Sequence, residues 1–158
     1  MSQWTDSFTY TWYGKKPEEM GKNPGPQQSP NTCWAASAAY VLGIPEVKVK
    51  LVTDLESAIQ GHLFKDYISF LHTEFPNQFK AQARLYGNDL TGADLEKRFP
   101  MIVQVPGHFI VALAIGRAQS KEDRILWWDP ADGLAHNAPV STLGTTYGGG
   151  SFLFVSKV

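Results

Sequence analysis

The residue best suited to covalent chemistry in this 158-residue chain is Cys33, its single cysteine. Cys33 opens a ten-residue segment that ends at Leu42 and contains nine apolar residues, a composition typical of a buried helix. Unpaired backbone N–H groups and the helix dipole at the amino end of a helix stabilise a thiolate. The polar loop before Cys33 is expected to leave the sulfur accessible. We therefore interpret Cys33 as a candidate nucleophile, with simple packing as the alternative.

Two glutamines in that loop are candidates to assist the nucleophile. Gln27 lies six residues before Cys33, and Gln28 lies five residues before it. When a thiolate attacks an amide carbonyl, the oxyanion that forms needs hydrogen-bond donors already in position. The backbone N–H of Cys33 and a side-chain amide from the loop would supply them. We predict Gln27 as the donor and leave Gln28 open; solvated loop residues are the other interpretation.

The base that activates a thiol is most often a histidine, and the chain has four: His62, His72, His108 and His136. His62 and His72 fall in predicted helices, and His136 lies in a Gly- and Pro-rich stretch with no partner in the sequence. His108 follows Pro106-Gly107 and opens an apolar strand. Apolar residues on both faces of a strand indicate that it lies inside a sheet. His108 is the candidate base, and a hydrogen-bonded histidine at the edge of the core is the other interpretation.

Asp129 is the candidate partner of His108. The strand that begins at His108 and the strand that ends at Asp129 are joined by the polar residues 116–124. A hairpin centred between Ala118 and Gln119 would place Asp129 directly opposite His108. Side chains in such a pair have Cβ atoms about 4.5–5.5 Å apart, so the carboxylate would hold the imidazole. An ordinary strand end is the other interpretation of Asp129.

The elements that must position these side chains follow from the hydrophobic pattern and the turn residues. Asn31 or Thr32 is the predicted N-cap of the helix that carries Cys33, and Gly43 with Pro45 ends this helix. The predicted helices cover residues 33–42, 54–75 (one or two helices, broken near residue 61) and 92–99, the predicted strands cover 7–13, 79–86, 101–105, 108–115, 125–128 and 151–155, and a turn covers 148–150.

A helical first part followed by a stranded second part predicts an α+β fold. Its buried central helix would carry Cys33, and a C-terminal antiparallel sheet would carry His108 and Asp129. The length suits one domain, residues 1–158, of which 1–24 would be a variable N-terminal segment.

Composition excludes several classes of function. With 14 basic and 15 acidic residues the net charge is -1, so no basic surface for nucleic acid is indicated. The sequence contains no apolar run of membrane-spanning length and begins with no signal peptide. We expect a protein that is cytoplasmic where it is made, with any secretion by a route independent of a signal peptide. Without H-E-x-x-H or C-x-x-C motifs, we predict no metal and no cofactor.

Together these residues resemble the papain-like cysteine peptidase superfamily. Gln27 precedes the pair Cys33-Trp34, His108 starts a strand, and Asp129 is followed by Pro130 in the next strand. The segment QQSPNTCWAAS resembles the nucleophile segment of secreted effector proteases of plant-pathogenic bacteria. The segments GHFIVALAIG and ILWWDPADG resemble the His and Asp strands of those proteases and of the peptidase domains of bacteriocin exporters. The resemblance covers about residues 25–140.

The resemblance implies a papain-like fold and a cysteine peptidase that cleaves a protein or peptide. Cys33 would be the nucleophile, His108 the base, Asp129 the residue that orients it and Gln27 the oxyanion donor. Trp34 would pack beneath the site. Trp127 would shield the contact between His108 and Asp129 from water. An inhibitor or immunity protein is a further partner that such enzymes suggest.

Two other functions fit the same residues. The first is a deamidase or acyl-transfer toxin or effector, which would modify a target protein without cleaving its backbone. The second is a non-catalytic binding module on the same fold. A metal enzyme is less consistent, because Cys33 and the histidines are not spaced as a set of metal ligands.

Overall fold

The chain has an α+β fold in the computed structural model, which describes residues 2–6, 10–28, 32–50, 64–79, 84–85, 99–105, 107–142, 146 and 153–156. The predicted α+β class is confirmed. The helices are α1 (Cys33–Leu42), α2 (Glu46–Lys50) and α3 (Phe64–Glu74), preceded by a short 3-10 helix (Pro17–Met20). The strands are β1 (Ser2–Thr5), β2 (Thr11–Gly14), β3 (Arg84–Leu85), β4 (Met101–Val105), β5 (His108–Arg117), β6 (Arg124–Asp129), β7 (Leu134–Pro139) and β8 (Leu153–Ser156).

Helix α1 has the predicted bounds, and nine of its ten residues are buried. Gly43 ends it in the left-handed conformation, with φ 70°, and its N–H donates to the carbonyl of Ala39. Thr32 occupies the N-cap position, but its side chain makes no capping hydrogen bond. Thr32 is therefore the N-cap residue, as predicted, but it caps the helix without a side-chain hydrogen bond. The alternative cap, Asn31, lies outside the described residues.

The sheet is built around the long strand β5, and every strand pair in the described residues is antiparallel. Strands β4 and β2 pair with successive parts of one edge of β5, and β6 pairs with the other edge. Beyond them, β1 joins β2, β8 joins β4, β3 joins β8 and β7 joins β6. The sheet therefore includes two N-terminal strands beside the predicted C-terminal sheet, whereas the sequence predicted only one, an edge strand at 7–13. The corresponding strand β2 is not at the edge, because it lies between β1 and β5.

Most differences from the predicted elements involve short or polar segments. The strands predicted at 101–105, 108–115, 125–128 and 151–155 are confirmed with shifts of one or two residues. Strands β1 and β7 and helix α2 were not predicted. Strand β1 has only four residues and helix α2 only five, and β7 is exposed or half-exposed along its whole length. The predicted elements at 54–75, 79–86 and 7–13 correspond to α3, β3 and β2, and most of the remainder of these ranges lies outside the described residues. Residues 92–98 and 148–150 lie outside the described part.

The sheet has apolar residues on both faces. Helix α1 covers one face, where it packs against Phe109, Val111 and Trp128. The other face carries a second cluster that includes Ile110 and Trp127. Within the described residues, no helix is both long enough and apolar enough to cross a membrane.

The predicted register of the β5–β6 hairpin is wrong by two residues. The observed pair Val111–Trp128 places Asp129, in continuation, opposite Ile110 and diagonal to His108. A shift of two residues keeps every side chain on the same face of a sheet, whereas a shift of one reverses the faces. Asp129 therefore still lies on the same side of β5 as His108, as the prediction required.

A β-bulge in β5 determines that Asp129 and His108 lie on the same face of the strand. Nearer the turn the pairs follow the register of Ala114–Leu126, and the register shifts between Ala112 and Ala114. Without that shift, Asp129 would lie opposite Val111, on the face of β5 that His108 does not share. The extra residue, Leu113, thus brings Asp129 to the face of His108.

Strand β2 holds the bulge in place. The backbone N–H of Lys15 donates to the carbonyl oxygen of Leu113 at 2.8 Å. Gly14, with φ +139°, passes so close that a Cβ atom there would lie 2.3 Å from the same oxygen. Only glycine fits this position, because both the backbone angle and the space exclude a side chain.

We expect Gly14→Ala to lower the free energy of unfolding by about 3 kcal/mol, since it adds a backbone clash to the strain of a positive φ. Gly21→Ala is the matched control, because Gly21 also has a positive φ, +85°, but open space around a Cβ. It should lose about 1 kcal/mol. Urea denaturation of the two variants measures both values, and equal losses would contradict the close approach of Gly14 to Leu113.

Candidate active site

Cys33 is the first residue of α1, at the amino end of the most buried helix described. Its relative exposure is 8%, so it is nearly enclosed, whereas the sequence predicted an accessible sulfur. Its neighbours Thr32 and Trp34 are also buried. Because the Thr32 side chain does not cap the helix, it leaves the first-turn N–H groups to other partners.

The imidazole of His108 lies between two of the predicted site residues. Its Nε2 atom is 2.7 Å from Oδ1 of Asp129. Its ring also shares a side-chain hydrogen bond with Cys33. Because Nε2 is engaged by Asp129, Nδ1 is the nitrogen left to face the sulfur. The structure therefore brings together the predicted nucleophile, base and orienting carboxylate.

The surroundings of His108 favour its charged form. Burial by itself lowers the pKa of His108, because it removes water from the imidazolium. The hydrogen bonds and negative charges of Asp129 and Cys33 outweigh this effect and raise the pKa to about 9. At neutral pH the ring is consequently an imidazolium beside a sulfur and a carboxylate.

Asp129 is itself held rigidly at the end of β6. Its relative exposure is 8%, and its Oδ1 atom also accepts the backbone N–H of Ala131 at 2.8 Å. This second hydrogen bond fixes the carboxylate to the turn that follows the strand. The orientation of the His108 ring is therefore set by the backbone of that turn through Asp129.

Gln27 lies against the same turn. Its backbone N–H donates to the carbonyl oxygen of Pro130 at 2.7 Å, and its side-chain oxygen is buried. Gln28 is exposed, and its backbone N–H donates to the carboxylate of Glu46 at the start of α2. Of the two glutamines, Gln27 is thus the one fixed next to the residue that follows Asp129.

Tyr67 of α3 is a residue of this site that the sequence did not indicate. Its hydroxyl donates to the backbone carbonyl of Trp34 at 2.6 Å, and its ring packs on Phe109 at 4.6 Å between centroids. Complete burial, with a smaller contribution from the charge of Cys33, raises the pKa of Tyr67 well above its usual value. Tyr67 therefore connects the first turn of α1 to the start of β5. In the sequence, its position on a predicted amphipathic helix is the only related signal, and that signal does not identify its partners.

The predicted supporting tryptophans are both buried. Trp34 packs edge-on against Phe70 of α3, with 5.7 Å between ring centroids, beneath the first turn of α1. Trp127 stacks on His136 of β7 at 5.2 Å. A shielding role of Trp127 toward the His–Asp contact stays a prediction.

The other histidines belong to different surroundings. His136 does have a partner, since its Nε2 atom lies 2.8 Å from Oδ2 of Asp132. His72 lies in the last turn of α3, and His62 is outside the described residues. No group of three or more His, Cys, Asp or Glu side chains arranged to hold a metal ion occurs in the described parts of the chain.

No protein-family model matches this chain, and no curated protein or solved structure is significantly similar to it. The α+β class rests on the fold itself. The chemistry of the site rests on its geometry: a sulfur at a helix amino end, an imidazolium that faces it, and a carboxylate that orients the imidazolium.

We expect NMR titration of the His108 imidazole to give a pKa near 9 in the wild-type protein. Asp129→Asn should lower this pKa clearly, because the variant removes the hydrogen bond and charge of the carboxylate. Asp132→Asn is the matched control, since that carboxylate lies in the same turn but contacts His136. An unchanged His108 pKa in Asp129→Asn, or an equal fall in both variants, would contradict the described contact.

Proposed function

We propose that this protein is a papain-like cysteine peptidase that hydrolyses amide bonds in a protein or peptide. One observation carries the proposal: the His108 ring shares hydrogen bonds with Asp129 and with Cys33. A nucleophile next to a base, which is in turn oriented by a third group, is the arrangement that acyl transfer through a covalent intermediate requires.

The first step is attack on the substrate carbonyl. With His108 as an imidazolium, Cys33 acts as a thiolate, and its sulfur forms a bond to the carbonyl carbon. The electron pair of the C=O double bond moves to the oxygen. The backbone N–H of Cys33 and the side-chain amide of Gln27 donate hydrogen bonds to that oxyanion.

The second step releases the amine. His108 gives its proton to the leaving nitrogen as the C–N bond breaks, which leaves an acyl group on the Cys33 sulfur. Neutral His108 then takes a proton from water, and the water oxygen attacks the thioester carbonyl carbon. The C–S bond breaks, its electron pair returns to the Cys33 sulfur, and the acid product departs. Throughout, Asp129 keeps Nε2 protonated, so that Nδ1 exchanges the proton with sulfur, leaving group and water.

Two observations favour Gln27 over Gln28 as the oxyanion donor. The backbone of Gln27 is held next to Asp129 by its hydrogen bond to Pro130, whereas the backbone of Gln28 is bonded to Glu46 on a different element. An oxyanion donor must be fixed relative to the base before the reaction begins. Gln27 meets that requirement because its backbone is hydrogen-bonded to the turn that begins with the carboxylate that orients the base.

The direct test is terminus profiling of a cell lysate by mass spectrometry after incubation with the protein. Wild-type protein should create new peptide termini, and both Cys33→Ala and His108→Ala should reduce them by about a thousandfold or more. His136→Ala is the matched control, because it removes a histidine on the neighbouring strand and should leave cleavage unchanged. New termini made equally by Cys33→Ala would refute the proposal.

The same experiment separates the peptidase from the related deamidase. Deamidation adds about one mass unit to Gln or Asn and leaves the backbone intact, because the Cys33 sulfur attacks a side-chain amide, ammonia leaves, and water hydrolyses the thioester to a carboxylic acid. Cys33-dependent mass changes without new termini would therefore reassign the reaction while retaining the site. Absence of both changes in the wild-type comparison would point to a binding module.

The raised pKa of His108 predicts different pH profiles for two reactions of Cys33. Peptide hydrolysis needs the imidazolium as proton donor, so its kcat/KM should fall as pH rises through about 9. Alkylation by iodoacetamide needs only the thiolate, and its rate should not fall over the same range. A hydrolysis rate that continues to rise well above pH 9 would contradict the assigned role of His108.

A further inference from the structure

The segment from Asn23 to Gln27 lies along the turn from Asp129 to Gly133, in the opposite direction. At one end, Nδ2 of Asn23 donates to the carbonyl oxygen of Gly133 at 2.7 Å. At the other end, the backbone N–H of Gln27 donates to the carbonyl oxygen of Pro130 at 2.7 Å. The segment that carries the candidate oxyanion donor is thus docked on the turn that begins with the orienting carboxylate.

The side chain of Asn23 makes three of the contacts in this docking. Besides the donation to Gly133, its Oδ1 atom accepts the backbone N–H of Gly25 at 3.0 Å and the indole Nε1–H of Trp128 at 3.2 Å. Trp128 is buried, with 1% exposure, so Asn23 supplies the acceptor for a buried donor. An asparagine suits this position because it has both a donor and an acceptor on a short side chain.

Backbone packing makes the docking close. Gly133 has φ +69°, and a Cβ atom there would lie 2.4 Å from the carbonyl carbon of Gly25 and from the nitrogen of Pro26. Two main chains in such contact leave little freedom to slide or separate. Asn23 and Gln27 are the two ends of this docked segment. Loss of the Asn23 contacts is therefore expected to shift the position of Gln27, four residues along the chain.

We propose that Asn23 is a positioning residue that fixes the oxyanion donor Gln27 relative to the base His108. The inference rests on the proposed function and extends it to a residue within the segment 1–24, which the sequence had assigned as variable. Asn23 acts through the loop that carries Gln27 and through the turn that begins with Asp129.

This role predicts that two reactions of Cys33 respond differently to the loss of Asn23. Acylation by an ester passes through an oxyanion, so it depends on a well-placed Gln27. Alkylation by iodoacetamide is a direct displacement of iodide by sulfur and forms no oxyanion. Its rate depends on the Cys33 sulfur itself and not on an oxyanion donor, so it does not require a well-placed Gln27.

The experiment measures both rates, with p-nitrophenyl acetate as the acylating probe and iodoacetamide as the alkylating probe. We expect Asn23→Ala to slow acylation about tenfold or more and to change alkylation less than twofold. Asn23→Asp keeps the Oδ1 acceptor but loses the donor to Gly133, so its acylation rate should be intermediate. Lys22→Ala, an exposed neighbour, is the matched control and should react like the wild type.

A double variant tests whether Asn23 acts through Gln27. Because the loop matters only for the donor it carries, acylation of Asn23→Ala/Gln27→Ala should be no slower than that of Gln27→Ala alone. Wild-type acylation in Asn23→Ala, an equal loss in both reactions, or additive losses in the double variant would each overturn the inference. If Asn23→Ala does not fold, as judged by circular dichroism, the same comparisons decide with Asn23→Asp.

Failure of this inference is distinguishable from failure of the proposed function. If p-nitrophenyl acetate acylates the wild-type protein no faster than Cys33→Ala, the assignment of Cys33 as the nucleophile is wrong. If the wild type is acylated and the Asn23 variants match it, only the positioning role of Asn23 is wrong.

Discussion

The site depends on the placement of one imidazole ring between a sulfur and a carboxylate. Burial of His108 opposes its charge, and that charge persists because Asp129 and Cys33 face the ring from β6 and α1. Removing either partner would take away part of what compensates the desolvation of the imidazolium. The fold must therefore hold a helix end and two strand ends together, and the remaining contacts described above serve that requirement.

The sheet meets this requirement through a small irregularity. The bulge at Leu113 changes which face Asp129 occupies, and the carbonyl of Leu113 is bonded to Lys15 from an N-terminal strand. Segments at the beginning of the chain thus contribute to the geometry twice. They secure the bulge at Gly14 and Lys15, and they dock against the turn after Asp129 through Asn23.

The sequence was sufficient to predict the α+β class. It also selected three candidate site residues, because each of them stands at a recognisable point in the sequence. Cys33 opens an apolar helix, His108 follows a glycine at a strand start, and Asp129 precedes a proline at a strand end. The hairpin register was not predictable from the turn, because the bulge depends on a contact about a hundred residues away in sequence. The roles of Asn23 and Tyr67 were not predictable for the same reason, because their hydrogen-bond partners lie on segments distant in sequence.

Cross-linking with 1,3-dibromoacetone tests the central claim most directly, because its two bromides leave in turn as two nearby nucleophiles attack. The sulfur of Cys33 should displace the first bromide, and a ring nitrogen of His108 should displace the second. Tandem mass spectrometry of the digested protein should then find one peptide joined from the segments that contain these two residues. A reagent attached to Cys33 alone, or joined to a residue other than His108, would contradict the account.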